Sequence, residues 1–306
     1  MEAKYITIDG GTTNTRFSYV ENGKILETIK VQCGSNPRDC SNLNDVCKGN
    51  ITNLINKHGT PLCIIGCGMI TSEYGLKNIP HIIAPAGVSD FHDGMEKIYM
   101  DSISDLPIYL IPGLKIGGDD FLKVNIMRGE ETEIIGLCET LNSDTIYVLP
   151  GSHSKLIQID DNGKICYIRS FMTGEMRASL SQYTILSGSL DSDETINEEY
   201  LKLGYEFTKI NGINESLLKV RTMDILFHKT KSKIYSFFMG CILEAEVSEI
   251  IKAKENNVVI GGQKKLKEIT SRLVSIYSDK KVISLPDEVC DESSIYGMIK
   301  IFEYKA

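Results

Sequence analysis

At 306 residues the chain is long enough for two domains of ordinary size, and a hydrophobic share of 42% is enough to build a sizeable core in each. With 33 Lys+Arg against 41 Asp+Glu the net charge is −8, which argues against a nucleic-acid surface as its main business. No apolar run reaches the roughly 18 residues of a membrane span, and the N-terminus lacks the apolar stretch of a secretion signal. A cytoplasmic protein with neither nucleic acid nor membrane as partner is expected, and a homodimer is left open.

Residues 5–16, YITIDGGTTNTR, read as a buried strand (4–9) that ends on Asp9 and runs into a tight Gly10-Gly11-Thr12-Thr13 turn. Glycines let backbone N–H groups approach an anion closely, and the threonines add hydroxyl donors, so the turn has the grammar of a phosphate-binding hairpin. Asp9 facing phosphates implies a bridging divalent cation, Mg²⁺ held through water, and with it a nucleotide. Strands follow at 14–20 and 24–31, joined by a hairpin turn at Glu21-Asn22-Gly23-Lys24.

Next come a polar loop at 33–42, a helix at 43–58 and a strand at 62–67, which gives the order β-β-β-α-β. A Gly/Met turn, an extended IPHIIAPAG stretch, a helix near 89–100 and a strand at 107–113 complete the first half. The Gly-rich, acidic LKIGGDDF at 114–121 is the candidate boundary, giving domains 1–118 and 119–306. After a helix over 131–141, residues 145–159 repeat the opening plan, with strand, turn (Gly151, Ser152, His153, Ser154, Lys155) and outgoing strand. Two such hairpins suggest a duplicated architecture in which two lobes hold nucleotide phosphates. Neither a Walker A loop nor a dinucleotide fingerprint occurs.

From 173 onward helices dominate, at 174–184, 194–207, 215–219, 231–255, 263–276 and 291–303, with strands at 257–261 and 281–285. Gly261 and Gly262 end a buried strand before a helix, where the lack of side chains leaves room for the adenosine of ATP. The nine cysteines form no C-x-x-C pair: Cys33, Cys40 and Cys47 lie seven apart, and Cys63 and Cys67 sit in a strand-like run. Free thiols and no structural metal are expected. Of the five histidines only His153 lies in a candidate site.

The order of hairpin, second hairpin and Gly-Gly turn resembles the actin, hexokinase and Hsp70 superfamily. More narrowly, IDGGTTNTR, GCGMITSEYG, IAPAG, IPGL, IMRGEETEIIGL, LPGSHSKL and SFMTGEM are similar to the 2-keto-3-deoxygalactonokinase family, over roughly residues 5–190. The resemblance implies an α/β, two-lobed, actin/hexokinase-like (ribonuclease H-like) ATPase fold with a nucleotide cleft between the lobes. It also implies ATP-dependent phosphorylation of the 6-hydroxyl of 2-dehydro-3-deoxy-D-galactonate in galactonate catabolism. Gly10 and Leu156 stand where members usually carry Trp, and Tyr183-Thr184 where they carry His-Ser.

Phosphoryl transfer to an alcohol needs a carboxylate to orient the hydroxyl and take its proton. In hexokinase-like relatives that acid opens the helix leading into the second hairpin, which here is Glu130 or Glu131, with Asp119 or Asp120 next in line. Arg128 beside them has the fork that suits a substrate carboxylate. Gly68, Met69, Ala86 and Gly87 are expected in the substrate wall, to which Thr173–Glu175 are further candidates. A kinase of another sugar or sugar acid, or a sugar- and nucleotide-binding sensor without turnover, are the other readings.

Overall fold

The computed structural model describes residues 3–35, 42–118, 120–137, 139–190 and 195–305. The chain divides into two compact units, the first being Met1–Ser143, Gln158–Ile168 and Glu288–Ala306, the second Asp144–Ile157 and Arg169–Asp287. The division falls at 143/144 instead of 118/119, because the 114–121 segment is a strand and loop inside the first unit.

The first unit is built on a six-stranded sheet of β1 (Lys4–Gly10), β2 (Thr15–Glu21), β3 (Lys24–Val31), β4 (Cys63–Gly68), β6 (Glu96–Met100) and β7 (Ser104–Leu110), in the order β3-β2-β1-β4-β7-β6. β1 runs antiparallel to β2 and parallel to β4, so Asp9 sits between Arg16 on one side and Cys67 on the other. The β2–β3 turn is the expected tight hairpin, with Asn22 and Gly23 at φ 49° and 75°. Helix α1 (Leu43–His58) packs on this sheet, and Ile6, Ile8, Phe17, Leu54, Ile64 and Ile108 join in its core.

Short elements departed from expectation. The segment 89–100 is not one helix: α2 (Val88–Asp93) stops at Gly94, and EKIYM becomes β6, antiparallel to β7. The 114–121 segment begins with β8 (Leu114–Ile116), the middle strand of a small sheet with β5 (Ile82–Ile83) and β9 (Asn125–Met127). Helix α3 spans Glu130–Leu137, shorter than the 131–141 expected.

The second unit carries a five-stranded sheet of β10 (Thr145–Leu149), β11 (Ser154–Ile159), β12 (Ile165–Phe171), β13 (Asn257–Ile260) and β14 (Lys281–Ser284), in the order β12-β11-β10-β13-β14. This repeats the β3-β2-β1-β4-β7 plan, with β10, β13 and β14 parallel as β1, β4 and β7 are. Around it lie α4 (Thr173–Tyr183), α5 (Glu198–Asn211), α6 (Ile213–Ile225), α7 (Lys231–Lys252) and α8 (Lys264–Tyr277). The expected start of a helix at 194 falls outside the described residues, and the short helix expected at 215–219 is the whole of α6. The core runs from Ile146 and Val148 through Tyr205, Phe238 and Leu243 to Ile260 and Leu273. Helix α9 (Asp287–Phe302) returns the chain to the first unit.

Six described cysteines are free thiols, but Cys33 is disulfide-bonded. Sequence spacing does not report whether two sulfurs meet, since that depends on where loops bring the Cβ atoms. No helix among the described residues is long and apolar enough to cross a membrane.

Candidate active site

In the first unit, three glycines weld the hairpin to the helix that follows Arg128. A Cβ on Gly68 (φ 77°) would lie 2.3 Å from the Gly10 carbonyl oxygen, and one on Gly129 (φ 110°) would lie 3.1 Å from the Gly68 Cα. Backbones approach this closely only where side chains are absent. The end of β1, the end of β4 and the start of α3 therefore meet, which brings Asp9, Gly10, Gly68, Glu130 and Glu131 into one neighbourhood.

The hairpin tip is closed by the Gly11 N–H donating to the Asn14 carbonyl at 2.8 Å, with Gly11 and Thr12 half-buried and Thr13 exposed. Asp9 Oδ2 accepts a hydrogen bond from Ser294 Oγ at 3.0 Å, Arg16 Nε lies 3.8 Å from the same oxygen, and Oδ1 has the Cys67 thiol at 4.0 Å. Ser294 comes from α9, far along the chain, and nothing near it in the sequence pointed to this role.

The two candidate bases differ. Glu131 is wholly buried, and both its oxygens accept from the Gly129 N–H, at 2.7 and 2.8 Å. Burial, and after it the Glu130 charge, pushes its carboxyl up to about 8. Glu130 is half-buried and accepts from the Arg128 N–H at 2.9 Å. A third acid that sequence reasoning passed over, Glu133, lies one turn on. Burial and the charges of Glu130 and Asp9 also raise it to about 8, with Arg16 opposing. The only sequence signal was its place in the run Glu130-Glu131-Thr132-Glu133. Asp120 is an exposed loop residue that accepts from the Leu122 N–H, and Asp119 lies outside the described residues.

Arg128 reaches Thr71 with Nη1, bonding both its carbonyl and its hydroxyl, and Ile79 and His81 with Nη2, at 2.9 and 3.2 Å. Burial and the Arg128 charge push His81 down to about 4, so it faces the guanidinium uncharged. The fork thus braces residues 71–81. Met69 opens the 3₁₀ turn Met69–Thr71 directly after Gly68. Ala86 and Gly87 are tied elsewhere: Ala86 exchanges backbone bonds with Ile165, and the Gly87 N–H donates to Asp90 Oδ2 at the start of α2.

In the second unit the hairpin between β10 and β11 exposes Ser152 and His153, while Ser154 and Lys155 are buried. Lys155 Nζ donates to the His153 carbonyl at 3.1 Å, and His153 Nε2 lies 2.6 Å from Glu175. The first turn of α4 underlies the hairpin: the Glu175 N–H donates to the Ser152 carbonyl at 3.0 Å, and a Cβ on Gly174 would lie 2.2 Å from the Gly151 oxygen. On the other flank the Gly261 N–H donates to the Val148 carbonyl and the Gln263 N–H to the Pro150 carbonyl, both at 2.9 Å. The unit therefore brings Gly151–Lys155 and Gly261–Gly262 side by side. A cavity of about 420 Å³, lined by Thr195, Ile196, Lys264, Lys265, Glu268, Ile269 and Arg272, opens along α8 immediately beyond that turn.

Among the described residues no group of three or more His, Cys, Asp or Glu could hold a metal ion by itself. Asp9, with one close donor and further lone pairs, fits an ion that keeps its waters and takes its remaining ligands from phosphates.

The E. coli (strain K12) protein 2-dehydro-3-deoxygalactonokinase is 29% identical over 250 residues, 82% of this chain and 81% of that protein. A 2-dehydro-3-deoxygalactonokinase candidate of known structure from Sinorhizobium meliloti matches with a TM-score of 0.80 at 21% identity, covering 99% of this chain and 98% of that one. Ligand-bound xylulose kinase from Lactobacillus acidophilus matches with a TM-score of 0.52 at 11% identity, over 98% and 89% of the two chains. These likenesses give the actin/hexokinase-like α/β fold that the sequence resemblance implies. The model of a kinase family, 2-keto-3-deoxy-galactonokinase, matches residues 9–288, and this chain, a nucleotide-using phosphotransferase, belongs to that family.

Proposed function

We propose that the chain phosphorylates the 6-hydroxyl of 2-dehydro-3-deoxy-D-galactonate in galactonate catabolism, with ATP as donor and Mg²⁺ as metal. The observation that carries this reading is the Gly10–Gly68–Gly129 junction, which sets an acid-rich helix start beside the Asp9 hairpin. The pattern joins a metal carboxylate, backbone and hydroxyl donors for phosphate, and a carboxylate for the acceptor hydroxyl.

Asp9 would hold Mg²⁺ through water, and the ion when bound would offset phosphate charge. Gly10, Gly11, Thr12 and Thr13 receive phosphate oxygens in the first unit; Gly151, Ser152 and His153 do so in the second, with Ser154 and Lys155 shaping the turn from beneath. Gly261 and Gly262 take the adenosine. Glu130, whose carboxylate is partly accessible, orients the acceptor hydroxyl and accepts its proton, while buried Glu131 fixes the Gly129 amide. Gly68 and Met69 form the wall nearest the base, with Ala86 and Gly87 more distant parts of it.

Arg128 is assigned to that wall as a brace, since its guanidinium already bonds Thr71, Ile79 and His81. Arg128→Lys is expected to lower Tm by several degrees, because leaving carbonyls in this half-buried site without their donors costs about 1–3 kcal/mol. An unchanged Tm with a strongly raised KM for the sugar acid would return the guanidinium to substrate-carboxylate recognition.

The substrate is tested by ADP release across 2-keto-3-deoxy sugar acids, aldonates and free hexoses. A kcat/KM for 2-dehydro-3-deoxygalactonate at least about tenfold above the others is expected. A better aldonate or neutral hexose would replace the substrate while leaving the kinase chemistry. That second outcome has a specific motive: Gly10 and Leu156 replace the tryptophans that family members usually carry at those positions.

A further inference from the structure

Helix α7 carries a carboxyl with no obvious reason to be where it is. Glu246 is 1% exposed, and no cation acts on it, although a buried carboxylate without a counter-charge is costly. Its Oε2 accepts from Thr173 Oγ1 at 2.7 Å, and its Oε1 has no hydrogen-bond partner. Burial raises its pKa, with the Thr173 and Ser154 hydroxyls opposing.

Both hydroxyls belong to the surroundings of one turn. Thr173 opens α4, whose next two residues touch the hairpin directly: Gly174 packs against the Gly151 carbonyl and the Glu175 N–H donates to Ser152. Ser154 is fully buried, and its Oγ lies 3.4 Å from the Gly151 nitrogen it accepts from. Glu246 thus reaches the hairpin from beneath through Thr173 and the first turn of α4. An apolar side chain of similar size would fill the space without fixing the Thr173 hydroxyl.

We propose that Glu246 is a positioning residue for nucleotide binding, holding Thr173 at the start of α4 so that the turn at Gly151–His153 presents its donors to phosphate. This rests on the reading of that hairpin as a phosphate site. Glu246→Gln keeps an acceptor for Thr173, whereas Glu246→Leu and Thr173→Val each remove one side of the bond at nearly constant size.

The experiment is calorimetric titration of the full chain with AMP-PNP and, separately, with adenosine, alongside thermal melts. Glu246→Leu and Thr173→Val are expected to weaken AMP-PNP at least about tenfold, or ~1.4 kcal/mol, and adenosine less than about twofold, with Glu246→Gln near wild type. Equal loss for both ligands, a fall in Tm with no change in affinity, or a Gln variant as impaired as Leu would overturn the positioning role. Gly151→Val separates the two readings, because a Cβ there meets nothing within 4 Å. If it leaves AMP-PNP affinity unchanged, the hairpin is not the phosphate site and the inference falls with it. If it weakens AMP-PNP while Glu246→Leu does not, the inference alone is wrong.

Discussion

Replacing Asp9 with Asn is expected to cut kcat on the order of 10²–10³-fold, about 3–4 kcal/mol of transition-state stabilisation, while leaving the fold intact. Asn keeps the oxygen that accepts from Ser294 Oγ at 3.0 Å and nearly the same volume, so the strand end and hairpin hold their shape. What it loses is the negative charge, and among the described residues no group of three or more His, Cys, Asp or Glu stands ready to hold the metal in its place. The substitution also removes one of the charges that raise Glu133, so Tm is expected to hold or rise slightly at neutral pH. The readout is kcat against Mg²⁺ concentration together with a melt. Wild-type kcat at saturating Mg²⁺ would show that Asp9 does not anchor the metal.

The hairpins, the Gly-Gly turn and the repeated sheet plan were legible because their signals are local: a strand, two glycines and small polar residues lie within a dozen positions. The resemblance to a known family then carried the fold and the chemistry further than periodicity could. What sequence did not disclose is where distant segments meet. Ser294 reaches Asp9 across most of the chain, Glu246 reaches Thr173 from another helix, and Arg128 spends its fork on carbonyls of the 71–79 segment. Each is an ordinary polar residue in its own neighbourhood. Short strands escaped for a different reason, since EKIYM has only five residues and its alternation is outweighed by the helical pattern before it. The boundary at 118 was misdirected by composition: Gly117 and Gly118 serve the turn between β8 and β9, not a linker.

The two glutamates at the start of α3 are expected to separate under the same substitution. Glu130→Gln removes the carboxylate that can reach a bound hydroxyl, and should lower kcat by roughly 10²-fold or more with little change in KM for ATP. Glu131→Gln should retain most of kcat, because its side chain is buried against the Gly129 N–H and its carboxyl, raised to about 8, is mainly protonated at neutral pH already. Its effect belongs to stability, and the sign is fixed by linkage. A carboxyl that titrates near 8 when folded and near 4.5 when unfolded holds its proton longer in the native state, so wild-type stability falls as pH rises through that window. Glu131→Gln cannot ionise, so its Tm should gain on wild type between about pH 5 and 8, with Glu133 retaining its own share of the slope. Loss of turnover in Glu131→Gln with Glu130→Gln near wild type would exchange the two roles. Near-normal kcat in both would remove the base from α3 altogether and leave Glu133, one turn deeper and within reach of the Asp9 charge, as the acid to test next.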